Sequence, residues 1–247
     1  MLRLDKFLCE MKVGTRSQVK KELKQGFVSV NGTVVVKPEH KVDVETDTVT
    51  YKGRELLYKK YVYYMLNKPA GVVSATRDNA CTTVNDLLKA TGYEDLFPVG
   101  RLDKDTEGLL LMTNDGELAH RLLSPKKQVA KVYEVGLKES LSAEDIRRLE
   151  EGVDIGEEKP TLPAKVEILP ENHIFLTITE GKFHQVKRMM KAVGNETVSL
   201  RRTAMGSLKL DGRLAPGDYR ELTEEETDAL RGDSGRTDEE RRKGGSR

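Results

Sequence analysis

The apolar positions of the first 60 residues predict two helices and a small sheet. Leu4, Phe7, Leu8 and Met11 recur at the three- and four-residue spacing of one helix face. A second helix is predicted to start at Thr15, whose hydroxyl can cap the first turn while Gln18 reaches back, and to end at Gly26. On it Val19 and Leu23 turn inward, whereas Arg16, Lys20 and Lys24 share another face at four-residue steps. FVSVNGTVVV follows, two β-branched runs about Asn31-Gly32. Both turn residues tolerate positive φ, so the segment reads as a hairpin.

From residue 61 to about 222 strands and single helices alternate. YVYYMLNKPAG and GLLLMTNDG read as strands ending in turns, GELAHRLL as a helix, KVYEVGL as a strand and SAEDIRRLEEG as a capped helix. PAKVEIL and HIFLTITEG read as strands, KFHQVKRMMKAVG as a helix, and TVSLRRTAMGSLKL as a final extended pair. That order predicts an α+β fold with a mostly antiparallel mixed sheet. Beyond Leu230 almost nothing apolar remains, so residues 231–247 are expected to be a disordered charged tail. The expected organisation is a small domain over 1–58, a larger one over 59–230, and the tail.

Charge adds little globally and much locally. Of 247 residues, 42 are Lys or Arg and 41 Asp or Glu, a net charge of +1, which removes any argument from a basic whole chain. Yet residues 1–60 carry 13 basic against 8 acidic side chains, and residues 182–202 carry six basic side chains against Glu196 alone. A basic stripe is either a solvated helix face or a phosphate-binding one. The absence of Trp and the presence of only five Phe make the core aliphatic. No apolar run approaches the roughly 20 residues of a membrane span, and Arg3, Asp5, Lys6 and Glu10 interrupt any leader-like core. A cytoplasmic protein is expected.

Candidate chemistry is sparse. Cys9 and Cys81 stand alone, and His40, His120, His173 and His184 form no ligand cluster, so no metal site is expected. No Gly-rich strand-to-helix phosphate loop is present, so no nucleotide cofactor is expected either. A Gly-x-Ser-x-Gly elbow is also missing, which disfavours an activated serine. The carboxylates carry more. Asp103 and Asp105 lie in VGRLDKDTEGLLLMTNDG, a polar turn leading into a strand that should be buried. Asp103 is either a turn-former or a functional carboxylate. Arg101 two residues before it, and Gly100 and Gly108 around it, favour the second reading. An ionised Asp in a cleft needs a cation. The predicted helix after Gly181 turns Val186, Met189, Met190 and Val193 inward and leaves Lys187, Arg188 and Lys191 off the core stripe. Tyr133 is either a core residue or an aromatic on which a base can stack. Paired carboxylates Asp103 and Asp105 could also suggest a glycosidase, but an i, i+2 pair on one turn does not define the separation that chemistry requires.

Two stretches resemble known families. RLDKFL, GTRSQVKKELKQGFVSVNG and DTVTYKGREL, over about residues 1–56, resemble the S4 RNA-binding domain, which implies that Arg16, Lys20 and Lys24 meet RNA phosphates. LNKPAG at 66–71, GRLDKDTEGLLLMTNDG at 100–116, KVYEV at 131–135 and EGKFHQVKRM at 180–189 resemble the successive motifs of the pseudouridine synthases. The last wording and the S4 domain are most similar to the ribosomal small-subunit pseudouridine synthase A branch. That resemblance implies no cofactor, Asp103 as the essential carboxylate, Lys187 as its partner, Tyr133 stacking on the target uracil, and Arg101 beside the flipped nucleotide. Leu200 and His184 would belong to the pocket, and Arg188, Lys191, Arg201 and Arg202 would contact RNA. Phe183 stands where Tyr is common, Glu107 where Ser is frequent, and Met112 within a run usually all Leu. The implied partner is ribosomal RNA in a small-subunit assembly intermediate, met by a monomer. A large-subunit RNA target and a non-catalytic RNA-binding assembly role are the alternatives.

Overall fold

The structure, a computed structural model, describes residues 1–233 and divides into two compact units, Met1–Lys60 and a second beginning at Tyr61. In the first unit β1 (Leu2–Arg3) leads into α1 (Leu4–Glu10) and α2 (Arg16–Lys24). The strands β2 (Val28–Val30), β3 (Thr33–Val34), β4 (Lys41–Val42), β5 (Val49–Tyr51) and β6 (Arg54–Glu55) follow. Thr15 and Gln18 form the predicted reciprocal cap of α2. Asn31 and Gly32 have φ of 51° and 78° in the β2–β3 turn, the left-handed pair that a two-residue hairpin requires. Leu4, Phe7, Leu8, Val19, Leu23 and Val28 close a core between the helices and the sheet β3-β2-β5-β6. Arg16, Lys20 and Lys24 are exposed.

The second unit is built on one large sheet. Its strands are β7 (Tyr63–Lys68), β8 (Phe97–Pro98), β9 (Glu107–Thr113), β10 (Lys131–Leu137), β11 (Lys165–Leu169), β12 (His173–Ile178), β13 (Thr197–Met205), β14 (Leu208–Lys209) and β15 (Tyr219–Glu221). The spatial order is β11-β12-β10-β13-β9-β7-β15, with β14 beside β13 and β8 beside β9. Pairing is antiparallel except between β13 and β9, where Arg201 and Arg202 run parallel to Glu107 and Gly108. The expected α+β class with a mostly antiparallel mixed sheet is what the chain adopts.

Helices α3 (Val84–Leu87), α4 (Gly116–Leu123), α5 (Ala143–Glu151), α6 (Gln185–Ala192) and α7 (Glu224–Asp233) cover the sheet. One face packs Leu66, Leu110, Met112, Tyr133, Val135 and Leu200 against Val186, Met189 and Met190 of α6 and Leu149 of α5. The other packs Met65, Leu109, Leu111 and Met205 against Leu118 and Leu122 of α4 and Leu230 of α7. β9 is therefore apolar on both sides, which explains its unbroken GLLLM run. Two boundaries differ from expectation. Helix α6 begins at Gln185 rather than near Lys182, because His184 sits in the left-handed region at φ 48°. Helix α7 runs to Asp233, whose carboxylate accepts the Ser207 amide, so it occupies the first three residues assigned to a tail. The rest of that segment lies outside the described residues.

Gly108 lets β9 and β13 meet. Its φ is +98°, and a Cβ there would lie 2.3 Å from the Arg202 carbonyl oxygen. Gly108→Ala is expected to destabilise the second unit by about 2–3 kcal/mol, from left-handed strain and the clash together. Denaturant unfolding of the full chain followed by circular dichroism checks this.

Candidate active site

A buried lysine organises the turn before β9. Lys68 ends β7 with no exposed surface, in a run that is otherwise core. Its three ammonium protons meet three carbonyls, those of Pro69 (3.0 Å), Lys104 (3.2 Å) and Thr106 (2.8 Å). Burial pushes this ammonium down to about 8, against the pull of the Asp105 and Asp103 carboxylates. Further bonds fix the same turn. The Gly71 amide donates to the Lys104 carbonyl at 2.7 Å, and the Thr106 amide to that of Asp103 at 3.1 Å. The Ser74 hydroxyl donates to the Leu102 carbonyl and accepts from the Leu102 amide. Asp103 thus sits on backbone held on both sides by residues 68–74.

Across from this turn stands the start of α6. Lys187 Nζ lies 3.5 Å from Asp103 Oδ2 and 2.5 Å from Asp105 Oδ1, and His184 Nε2 lies 3.6 Å from Asp103 Oδ1. The structure therefore gives Lys187 two carboxylate partners, and the shorter contact goes to Asp105. Hydrogen bonding from Lys187 lowers the Asp105 pKa below the usual carboxylate range. The Asp103 and Lys187 side chains are both about a quarter exposed, while that of Asp105 is 73% exposed. Asp103 is thus partly sheltered yet reachable.

Buried Gln185 fixes the approach to α6. Its Oε1 accepts the Lys182 amide and its Nε2 donates to Glu180, whose same oxygen accepts the Leu162 amide. Arg188 donates to the carbonyls of Phe183 and Ile155 and to Glu157, so it braces protein backbone rather than standing free for RNA. Arg202 corrects expectation further: it is 2% exposed, and its Nε donates to the Leu109 carbonyl across the parallel strand pair. Arg201 is half-buried and Lys191 exposed. Arg101 is exposed and makes no hydrogen bond or ion pair among the described residues. Tyr133 is 8% exposed and shares with Leu200 the apolar layer beneath α6. No three His, Cys, Asp or Glu side chains among the described residues are grouped to hold a metal ion.

The RNA pseudouridylate synthase family model matches residues 62–192, more than half of the chain, and the S4 domain model matches residues 2–49. The chain belongs to the RNA pseudouridylate synthase family. An uncharacterized RNA pseudouridine synthase from Bacillus subtilis is 53% identical over 93% of this chain and 98% of its own length. The ribosomal small subunit pseudouridine synthase A of Vibrio cholerae is 42% identical over 93% of this chain and 99% of its own. A crystal structure of a pseudouridylate synthase superposes with a TM-score of 0.67 at 39% identity, covering 93% of this chain and all of that one.

Lys68 and Ser74 escaped the sequence reading, although a lysine closing the apolar run of β7 was a visible signal. Lys68 also sets a pH dependence. Below about pH 8 it is charged in both folded and unfolded chains. Between there and its ordinary value of 10.5 the unfolded chain holds a proton that the folded one has released, so its contribution to stability rises with pH. Unfolding free energies of wild type and Lys68→Met are expected to diverge in favour of wild type by roughly 2 kcal/mol between about pH 7.5 and 9.5.

Proposed function

We propose that this synthase isomerises a uridine to pseudouridine in small-subunit ribosomal RNA, with Asp103 as the group that acts at the sugar. The observation that carries this reading is the carboxylate of Asp103 held on a braced turn between Lys187 and His184. The reaction breaks the N1 glycosidic bond, turns the uracil and rejoins it through C5, with the C5 hydrogen passing to solvent and a proton returning to N1. Asp103 serves either as nucleophile at the anomeric carbon or as acceptor of a sugar proton. In both cases Lys187 places positive charge where the carboxylate must be positioned, and the short contact to Asp105 steers the ammonium.

The target base must leave its stack, at a cost of a few kcal/mol. Arg101, exposed and without a side-chain partner among the described residues, contacts the displaced nucleotide or fills its gap in this reading. Tyr133 stacks on the flipped uracil in this reading, supported by its place with Leu200 in the apolar layer beneath α6. Lys191 and Arg201 add positive charge around α6. In the first unit the exposed stripe of Arg16, Lys20 and Lys24 positions RNA through phosphates. The small-subunit target is supported by relatives named for it at about 40% identity over nearly their whole length. The synthase acts as a monomer in the cytoplasm on an assembly intermediate. No helix among the described residues is long and apolar enough to cross a membrane.

Mapping pseudouridine after incubation with unmodified small-subunit precursor particles tests the proposal. Wild type is expected to introduce one new pseudouridine, and Asp103→Asn none, with RNA affinity retained. Turnover by Asp103→Asn overturns its role, and modification only of large-subunit RNA moves the target. Replacing Arg16, Lys20 and Lys24 together by Gln is expected to weaken RNA binding and to flatten the slope of log affinity against log salt by about 2. An unchanged slope makes that stripe a merely solvated face.

A further inference from the structure

Phe183, 68% exposed, is the most exposed phenylalanine or tyrosine among the described residues, in a chain whose other large rings are mostly covered. Its neighbours hold it in place. Arg188 Nη1 donates to the Phe183 carbonyl at 3.0 Å, and Gln185 ties down the Lys182 amide one residue earlier. His184 is held at φ 48° and ψ 35°, a left-handed conformation that costs a non-glycine residue free energy. The result is a stacked pair of rings, Phe183 on His184, with centroids 3.8 Å apart and planes at 19°. The inner ring reaches Asp103, since His184 Nε2 lies 3.6 Å from its carboxylate. The outer ring faces solvent.

We propose that Phe183 and His184 form a stacking platform for an unpaired nucleobase adjacent to the target uridine, an inference that rests on the function assigned above. An aromatic ring held in place and left in water offers a single-stranded base the flat apolar face on which it stacks, and cations along the strand's path serve its phosphates. Lys104, Arg101 and Lys191 are the exposed cations of the surrounding segments. The ribose of the reacting nucleotide must reach Asp103, so a base on the outer face of Phe183, a full ring beyond His184, belongs to a neighbour in the strand. Stacking tolerates any base, so the platform positions the RNA and orders the flanking nucleotide without reading sequence. The ring itself is what matters, so a tyrosine at this position would serve equally.

The test compares wild type, Phe183→Leu and Phe183→Tyr on small-subunit precursor particles whose uridines carry tritium at C5, released as the new bond forms. Filter binding of the same particles gives affinity independently. Phe183→Leu is expected to raise both the half-saturating RNA concentration and the dissociation constant about tenfold. The greater part of the loss falls on these values rather than on the rate at saturation, and Phe183→Tyr restores them. Because the side chain is exposed, unchanged melting of both variants is expected. Unaltered affinity in Phe183→Leu overturns the platform, as does a loss confined to the saturating rate. If wild type releases no tritium, the assigned reaction fails on its own. Filter binding then still decides: a tenfold weaker Phe183→Leu supports the platform, and equal affinity overturns it.

Discussion

Three carbonyl oxygens converge on the ammonium of Lys68, and the placement of Asp103 follows from that convergence. A turn between two strands is ordinarily the least constrained part of a sheet. Here a cation without access to water has its full complement of donors taken by the backbone of Pro69, Lys104 and Thr106. Removing it leaves buried acceptors unmet, and shifting the turn costs the lysine its partners. Ser74 and the Gly71 amide draw the same backbone from the other side. The carboxylate that must meet a sugar is thus held by main-chain bonds, and its own side chain is left for Lys187 and His184.

The sheet brings the second half of the site to this turn. β13 can close on β9 at this point because Gly108 has no Cβ to meet the Arg202 carbonyl, and Arg202 closes the seam by donating to the Leu109 carbonyl. Leu200, two residues earlier on β13, lies in the layer on which α6 rests, with Val186 and Met189 as the contacts from the helix. Lys187 follows Val186 on the rim of that layer and so faces the Asp103 turn. Residues more than 80 positions apart in sequence meet because one apolar layer fixes the helix and one buried lysine fixes the turn.

Much of this was legible in the chain. Period-two and period-3.6 patterns located the main strands and helices, Asn31-Gly32 marked its turn, and Thr15 and Ser142 marked helix starts, because these signals are local. The motifs around Asp103 and Lys187 stood out by their charge against apolar neighbours. What was not legible depended on contacts distant in sequence. Arg202 reads as a surface cation until the parallel pairing of β13 with β9 buries it. Arg188 reads likewise until the segment at Ile155 and Glu157 folds against it. Asp105 looked like a companion of Asp103, yet it takes the shorter contact with Lys187, a matter of side-chain reach that spacing does not specify. The late start of α6 depends on the left-handed His184, which no helical periodicity signals.

Amide hydrogen exchange on the full chain, comparing wild type with Lys68→Met, tests most directly whether Lys68 holds the Asp103 turn. Faster exchange is expected in Lys68→Met at the amides of Gly71 and Thr106, with the amides of Leu109, Leu110 and Leu111 in β9 keeping their protection. Unchanged protection at Gly71 and Thr106 would contradict this role of Lys68 and would leave the sheet alone as the support of the site.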